Sequence, residues 1–325
     1  MKNVGIIGLG HYLPKRRLTN TDLEKLVDTT DEWIFTRTGI KERRLAEGDE
    51  RNSDLAIKAG RQALRDAKLK PSDLDLILVA TISPDSSFPS VACLVQKAIH
   101  AHNAAAFDIS AACSGFLYAI ITGKQFIQSG LYKNVLVIAS EKITTYVDWN
   151  DRGTCVLFGD GAGACVLSPV KGDRGIISDY MHAQGSFGDL MMVKTRDRKP
   201  LDQKTSMMKL PHISMQGKEL FKVAVNSMAE AVEIAVKKAK MKLSDIDCVV
   251  PHQANDRIIS AVAKKLGLPK DKIFVNIDQY GNMSAASIAV ALYEAVEQKR
   301  IKRGDNVVLV TFGAGVVSAA NVVKW

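Results

Sequence analysis

The sequence predicts an α/β protein built from two similar halves, and three observations carry that prediction. The first is a repeat. Ala63–Asp75 reads ALRDAKLKPSDLD and Ala235–Asp247 reads AVKKAKMKLSDID, an offset of 172 with identities at Ala63/Ala235, Ala67/Ala239, Lys68/Lys240, Lys70/Lys242, Ser72/Ser244, Asp73/Asp245 and Asp75/Asp247. The second is that the match recurs at the same offset: Lys133–Ile138 (KNVLVI) stands opposite Asp305–Val310 (DNVVLV), with Asn134 matched to Asn306. The third is that helical stretches alternate with short β-branched runs, the pattern of α/β layers. Residues 1–170 and 171–325 are therefore expected to form two related halves. No low-complexity linker separates them, so they are expected to share one continuous core.

The elements follow in order. A helix is predicted over Ser53–Ala67, where Leu55, Ala59 and Leu64 share a stripe after a cap at Asn52 or Ser53. Leu76–Ala80 and Cys248–Pro251 read as strands. Cys113–Ser129 reads as a helix apolar on most sides, through Phe116, Leu117, Ile120, Ile121 and Ile127. Such a helix is buried centrally, and Gly130 suits its C-terminal cap. Lys218–Lys240 and Ser284–Gln298 are the other long helices, and the polar, methionine-dotted stretch Ser186–Ser214 is expected to be a surface excursion. The glycines at Gly159–Gly163 are followed by the strand-like Cys165-Val166-Leu167 and by no Gly-Lys-Ser/Thr, which excludes a P-loop and suggests tight turns. Gly5–Gly10 (GIIGLG) lacks the G-x-G-x-x-G spacing and runs towards Pro14, which argues against a Rossmann site.

Composition narrows the function classes. The chain has 325 residues, 46% hydrophobic and 24% charged, enough for a large core. Its five cysteines are odd in number, widely spaced and without C-x-x-C, which argues for a reducing compartment and against a zinc site; no metal is expected. Met1–Gly10 is unlike a secretory signal, and no run is long enough to span a membrane, so a soluble cytoplasmic protein is expected. The net charge of +9 favours anionic partners, but the basic residues are scattered and no aromatic-interleaved patch marks nucleic-acid binding.

Three short motifs carry chemistry. In Phe107-Asp108-Ile109-Ser110-Ala111-Ala112-Cys113-Ser114-Gly115-Phe116 a strand ends and a helix begins at a cysteine. Unpaired N–H groups and the helix dipole there favour a thiolate and an oxyanion. An ordinary thiol near pKa ~8.5 is only about 7% ionised at pH ~7.4, and this placement is expected to lower that pKa. Val249-Val250-Pro251-His252-Gln253-Ala254-Asn255 presents His252 on a strand-to-helix turn, where an imidazole can donate to a developing oxyanion. In Tyr280-Gly281-Asn282-Met283-Ser284-Ala285-Ala286-Ser287, Gly281 permits a turn and Asn282 offers an amide donor, with helix capping as its ordinary alternative. The repeat maps Cys113 onto Ala285, close to Asn282, so a pseudo-twofold fold brings both elbows to its centre.

In these motifs, and over essentially its whole length, the chain resembles the beta-ketoacyl-(acyl-carrier-protein) synthase III family. The resemblance also rests on Asp31-Glu32-Trp33-Ile34, Thr36-Arg37-Thr38-Gly39-Ile40, Asp151-Arg152-Gly153-Thr154 and Phe158-Gly159-Asp160-Gly161-Ala162-Gly163-Ala164. It implies a thiolase fold of five α/β/α/β/α layers, usually a homodimer, that needs no cofactor beyond its CoA thioester substrate. Cys113 would take the acyl group from an acyl-CoA, with the backbone N–H groups of Cys113 and Ala314 as oxyanion donors. His252 and Asn282 would then assist malonyl-acyl carrier protein in losing CO2. Trp33 and Arg152 would sandwich the CoA adenine, Arg37 would meet its phosphates, and Asn255 would lie along the pantetheine tunnel. Phe158 would line the acyl pocket, and Phe88 would reach into the partner's. Lys218, Lys222, Arg257, Lys264 and Lys265 would dock the acidic carrier protein.

The chain departs from the family's Phe-Gly-Gly-Gly and Thr-Trp-Gly ending, reading Phe312-Gly313-Ala314-Gly315 and then Val316-Val317-Ser318-Ala319, which bears on the acyl pocket. A relative serving biotin-precursor, quinolone or polyketide synthesis is the alternative within the same chemistry. Hydroxymethylglutaryl-CoA synthase is disfavoured because its glutamate motif is not apparent, and degradative thiolases because they use a late second cysteine, whereas the last one here is Cys248. A non-catalytic carrier-protein scaffold is disfavoured by the intact Cys113, His252 and Asn282.

Overall fold

A computed structural model describes residues 3–193 and 212–325. The chain runs β1 (Val4–Tyr12), β2 (Arg16–Thr19), α1 (Asn20–Leu23), α2 (Asp31–Thr38), β3 (Glu42–Leu45), α3 (Asn52–Asp66), β4 (Leu76–Ala80), α4 (Val91–Ile99), β5 (Ala105–Ile109), α5 (Gly115–Gln128), β6 (Val135–Glu141), α6 (Arg152–Cys155) and β7 (Gly161–Pro169). It continues with β8 (Gly175–His182), β9 (Met191–Val193), β10 (Ile213–Met215), α7 (Gly217–Lys238), β11 (Cys248–Pro251), α8 (Asp256–Lys265), α9 (Ile277–Tyr280), α10 (Ala286–Glu297), β12 (Asn306–Gly313) and β13 (Val317–Lys324).

Two mixed sheets, β1-β7-β6-β4-β5 and β11-β12-β13-β8, alternate with helices to give five layers. Helices α3 and α4 cover one outer face, α7 and α8 the other, and α5 and α10 lie between the sheets. The sequence explains the placement. Along α10 and the first turns of α5 most positions are apolar or small and buried, which leaves these helices no broad face for water. Helix α7 instead keeps lysines and glutamates outward and buries Ala224, Met228, Ala231, Val232 and Ala235.

The repeat has a physical counterpart in matched hydrogen bonds. Asn134 donates its backbone N–H to Asp75 at 2.9 Å and its side-chain amide to Asp73 O at 2.8 Å; Asn306 makes the same two bonds, to Asp247 and Asp245, both at 2.8 Å. Lys68 and Lys240 share a left-handed backbone (φ +56° and +58°), as do Ala112 and Ser284 (φ +45° and +49°). At the centre the two helix starts touch: a Cβ on Gly115 would lie 3.5 Å from Ala285 Cβ.

Two expectations about elements are corrected. The glycines after Phe158 do not all make turns. Gly161 and Gly163 lie within β7, where a Cβ on Gly163 would stand 2.5 Å from Ala289 Cβ and 2.8 Å from Ala289 C. Their smallness lets α10 approach the sheet. Gly163→Ala is accordingly expected to destabilise the fold by about 1–3 kcal/mol through overpacking, read as a lower urea midpoint with an unchanged denaturant slope. The cap of α3 is Arg51 rather than Asn52 or Ser53, with Arg51 N–H donating to Asp54 at 2.9 Å. Asn52 is turned inward to bond Thr81 and Ser140, at 3.0 and 2.7 Å, because a buried amide needs partners there. Of the Ser186–Ser214 excursion, residues 194–211 lie outside the described residues. Its described flanks form the short β9–β10 pair.

Candidate active site

Cys113, His252 and Asn282 line one cavity of about 150 Å³. Cys113 sits in a single helical turn (Ala112–Ser114) ahead of α5, made possible by the left-handed Ala112. Ser114 Oγ fixes the elbow by donating to Val317 O at 2.9 Å. The end of β12 presses against it: a Cβ on Gly313 would lie 2.8 Å from Cys113 N, so glycine is required by close approach. Ala314, next in the chain, lies outside the left-handed residues of the loop that follows, Gly315 and Val316 (φ +78° and +51°), so its methyl strains no backbone.

His252 leaves β11 after Pro251 and is held by its own N–H, which donates to Val310 O at 2.8 Å. Gln253 clamps the turn from behind, donating to Pro251 O and Phe274 O and accepting Asn276 N–H at 3.0 Å. Burial lowers the His252 pKa to about 3, so the imidazole is neutral throughout the physiological range. Its Nδ1 is buried with no partner among the described residues.

Asn282 is set by Gly281 (φ +65°), whose Cβ, if present, would lie 2.8 Å from Leu157 O. Asn282 N–H donates to that same Leu157 O at 2.8 Å, and Gly159 N–H returns a bond to Asn282 O at 3.1 Å. The Asn282 Oδ1 accepts Ser284 N–H at 2.9 Å. That bond fixes the amide orientation and leaves Nδ2 as the group able to donate into the cavity.

Electrostatics correct one expectation. Burial pushes the Cys113 thiol up to about 11, opposite to the direction read from the helix start, and the Ser284 hydroxyl and a backbone N–H offset this only in part. The site is dry enough that losing solvent outweighs the helix terminus.

One acyl-pocket expectation, that for Phe158, is also corrected. Phe158 does not line the cavity: it is fully buried in a cluster with Leu18, Ile34 and Val156, on which the cavity residues Leu157 and Met191 also pack. Its neighbour Leu157 faces the cavity instead, together with Met191, Met215, Leu220 and Phe312. Phe88 is 85% exposed on the loop before α4 and lines no part of this chain's cavity.

The remaining residues surround the cavity mouth. Asn255 lines it, but both ends of its amide are engaged: Oδ1 accepts Arg257 N–H at 2.9 Å as the cap of α8, and Nδ2 donates to Arg37 O at 3.1 Å. Trp33 carries two guanidiniums, Arg37 at 4.7 Å and Arg152 at 4.8 Å from the ring centroid. Arg152 therefore rests directly on the indole, and a base could enter between them only if it lifted off. Lys218 and Lys222 on α7 and Arg257, Lys264 and Lys265 on α8 are all exposed on two helices packed together, with Lys265 Nζ held by Asn226 Oδ1. The sequence reading missed Gln253, which quotes as an ordinary motif residue, and the methionine wall, whose two strands are short and irregular.

All five cysteines are free. Among the described residues no helix is long and apolar enough to cross a membrane, and no cluster of three metal-ligating side chains occurs.

Comparison with known proteins agrees with this geometry. Two family models match, "3-Oxoacyl-[acyl-carrier-protein (ACP)] synthase III" over residues 107–185 and its C-terminal counterpart over 236–325. The beta-ketoacyl-[acyl-carrier-protein] synthase III of Caldanaerobacter subterraneus subsp. tengcongensis is 51% identical, covering 99% of this chain and 97% of its own. That of Clostridioides difficile is 53% identical, covering 99% and 98%. The crystal structure of the Aquifex aeolicus enzyme superposes with a TM-score of 0.93 at 50% identity, covering 99% of this chain and all of that one. The chain thus belongs to the beta-ketoacyl-[acyl-carrier-protein] synthase III family, with the thiolase fold.

Proposed function

We propose that this chain condenses an acyl-CoA primer with malonyl-acyl carrier protein, giving 3-oxoacyl-acyl carrier protein, CoA and CO2, with Cys113, His252 and Asn282 as its catalytic residues. The family's reaction is the initiating condensation of type II fatty acid synthesis, and the chain is an acyltransferase of that type. The observation that carries the residue assignment is the convergence of thiol, imidazole and amide on one cavity with otherwise largely apolar walls.

The chemistry follows in two stages. The Cys113 sulfur attacks the acyl-CoA carbonyl, the tetrahedral oxyanion rests on the N–H groups of Cys113 and Ala314, and CoA leaves. Malonyl-carrier protein then enters. Neutral His252 and the Asn282 Nδ2 donate to its thioester carbonyl, CO2 departs, and the resulting carbanion attacks the acyl-cysteine. A CoA thioester is a substrate here, and the reaction requires no resident cofactor.

Arg37 and Arg152 offer forks for the CoA phosphates and Trp33 a stacking face. The exposed basic residues of α7 and α8 suit an acidic carrier protein. Strand β5 pairs only with β4 among the described residues and exposes Phe107 on its open edge. A second copy of the chain is the partner that such an edge and the exposed Phe88 would receive. A cytosolic setting fits the five free thiols. The test is stoichiometric. With acetyl- or isobutyryl-CoA and malonyl-carrier protein, CoA and CO2 should appear one for one with a 3-oxoacyl-carrier protein. CO2 release without carbon–carbon bond formation would reject the proposal.

A further inference from the structure

One buried carboxylate ties together the turns that carry the two proposed hydrogen-bond donors. Glu294 lies in α10 and is buried. Each of its oxygens accepts one bond: Oε1 takes the Tyr280 hydroxyl at 2.5 Å, and Oε2 takes the Asn276 Nδ2 amide at 2.9 Å. Among the described residues it forms no ion pair. Burying a carboxylate among neutral donors costs stability, and what the two bonds supply is geometry.

Asn276 and Tyr280 stand at opposite ends of the single helical turn α9, Asn276 just before it and Tyr280 as its last residue. The turn is closed by Gly281 N–H on Ile277 O at 2.9 Å, so its two ends move as one body. Each end leads to a turn of the cavity. Asn276 N–H donates to Gln253 Oε1 at 3.0 Å, and Gln253 Nε2 donates to Pro251 O at 2.8 Å, on the other side of His252. Tyr280 runs through Gly281 into Asn282, whose N–H is fixed on Leu157 O at 2.8 Å. Gln253, Asn276 and Tyr280 are all buried, so a bond lost along this route is not made up by bulk water. Burial, and then the bond to Glu294, raise the Tyr280 phenol far above its usual titration range, which keeps the hydroxyl a donor.

The repeat marks the clamp as a property of one half. The starts of α5 and α10 are in register at the offset of 172, through the left-handed Ala112 and Ser284, and this matches Glu294 to Thr122. Thr122 only folds back on its own helix, donating to Tyr118 O at 2.8 Å. The half that carries the cysteine has no such carboxylate at this position, and the half that carries His252 and Asn282 does.

We infer that Glu294 is a positioning residue that fixes the spacing of the His252 and Asn282 donors around the malonyl thioester carbonyl. The inference rests on the reading of those two residues as donors. Glu294 lines no part of the cavity and acts through Asn276 and Tyr280. An oxyanion site works because its donors are aimed in advance at the place where charge develops, and a displacement of ~1 Å can cost about a hundredfold in rate. Acylation draws on the backbone N–H groups of Cys113 and Ala314, to which Glu294 makes no bond. Its loss is therefore felt in condensation and not in acylation.

The test measures Cys113 acylation by acetyl-CoA, and discharge of the acyl enzyme by malonyl-carrier protein, as separate rates by quenched-flow mass spectrometry, with a thermal melt on each protein. Glu294→Ala removes both acceptors. Its discharge should slow by about thirty- to a hundredfold, with acylation within about threefold of wild type. Glu294→Gln keeps one oxygen for Asn276 and can donate its amide to the Tyr280 hydroxyl, so its discharge should slow only about tenfold. Should Glu294→Ala not fold, Glu294→Gln decides by the same comparison. A merely structural residue would lower the melting temperature and leave the ratio of the two rates unchanged. A discharge loss less than about fivefold greater than the acylation loss would overturn the inference. The substitution is also made in the His252→Ala, Asn282→Ala double variant, where it should add less than about threefold, because the donors it aims are gone; its full effect there would equally overturn the inference. Wild-type discharge by the double variant itself would reject the donor assignment and this inference with it, whereas a crippled double variant beside unaffected Glu294 variants would reject this inference alone.

Discussion

Cys113→Ala should form no acyl adduct and no condensation product while melting cooperatively as a folded protein. Cys113 is the cysteine of the cavity. Cys155, Cys165 and Cys248 are buried elsewhere in the core, with thiols raised by burial, and Cys93 is exposed on α4, away from the cavity. None can take over. The alanine fits without a clash because it is smaller, so the loss is chemical. Intact mass after exposure to acyl-CoA, with a thermal melt alongside, checks both halves of the expectation. A full-strength adduct on the variant would show that another residue is acylated.

His252→Ala and Asn282→Ala should each slow condensation by roughly a hundredfold or more, about 3 kcal/mol, the usual cost of one oxyanion donor in a dry site. Acylation should fall much less in both, because the two donors serve the malonyl carbonyl and the acyl oxyanion has its own backbone N–H groups. The double variant should cost less than the product of the single losses, since a lone remaining donor is already misplaced. Asn282→Asp should be at least as damaging as alanine, because it removes the Nδ2 donor and brings negative charge towards the enolate. Separate measurement of adduct formation and of adduct discharge by malonyl-carrier protein distinguishes these effects. Equal losses in both stages would mean that His252 and Asn282 act on Cys113 instead.

The convergence of the three proposed catalytic residues on one cavity was legible in sequence because each sits on a local signal: a helix start at Cys113, a proline-ended strand before His252, a glycine turn before Asn282. The layered fold was legible because the repeat kept the Asn134 and Asn306 hydrogen bonds at one offset. What depended on distant partners was not. Gln253 reads as one more residue of its motif, and only the fold brings Phe274 O and Asn276 N–H within its reach. The glycines of β7 looked like turn formers because their need for smallness comes from α10, far along the chain. Phe158 missed the cavity because the turn that ends α6, closed by Leu157 N–H on Thr154 O, aims Leu157 at the cavity and Phe158 into the core, a choice the sequence does not show. The direction of the Cys113 pKa was missed because a sequence shows the helix start but not the depth of burial around it.

Intact-protein mass spectrometry after mixing with acetyl-, propionyl-, isobutyryl-, glutaryl- or octanoyl-CoA, followed by malonyl-carrier protein, tests the central claim most directly. The account predicts one acyl increment on the Cys113 peptide, cleared on adding malonyl-carrier protein as a 3-oxoacyl-carrier protein appears, and the acyl group that does so names the primer. An increment on another residue, or one on Cys113 that malonyl-carrier protein leaves in place, would contradict it.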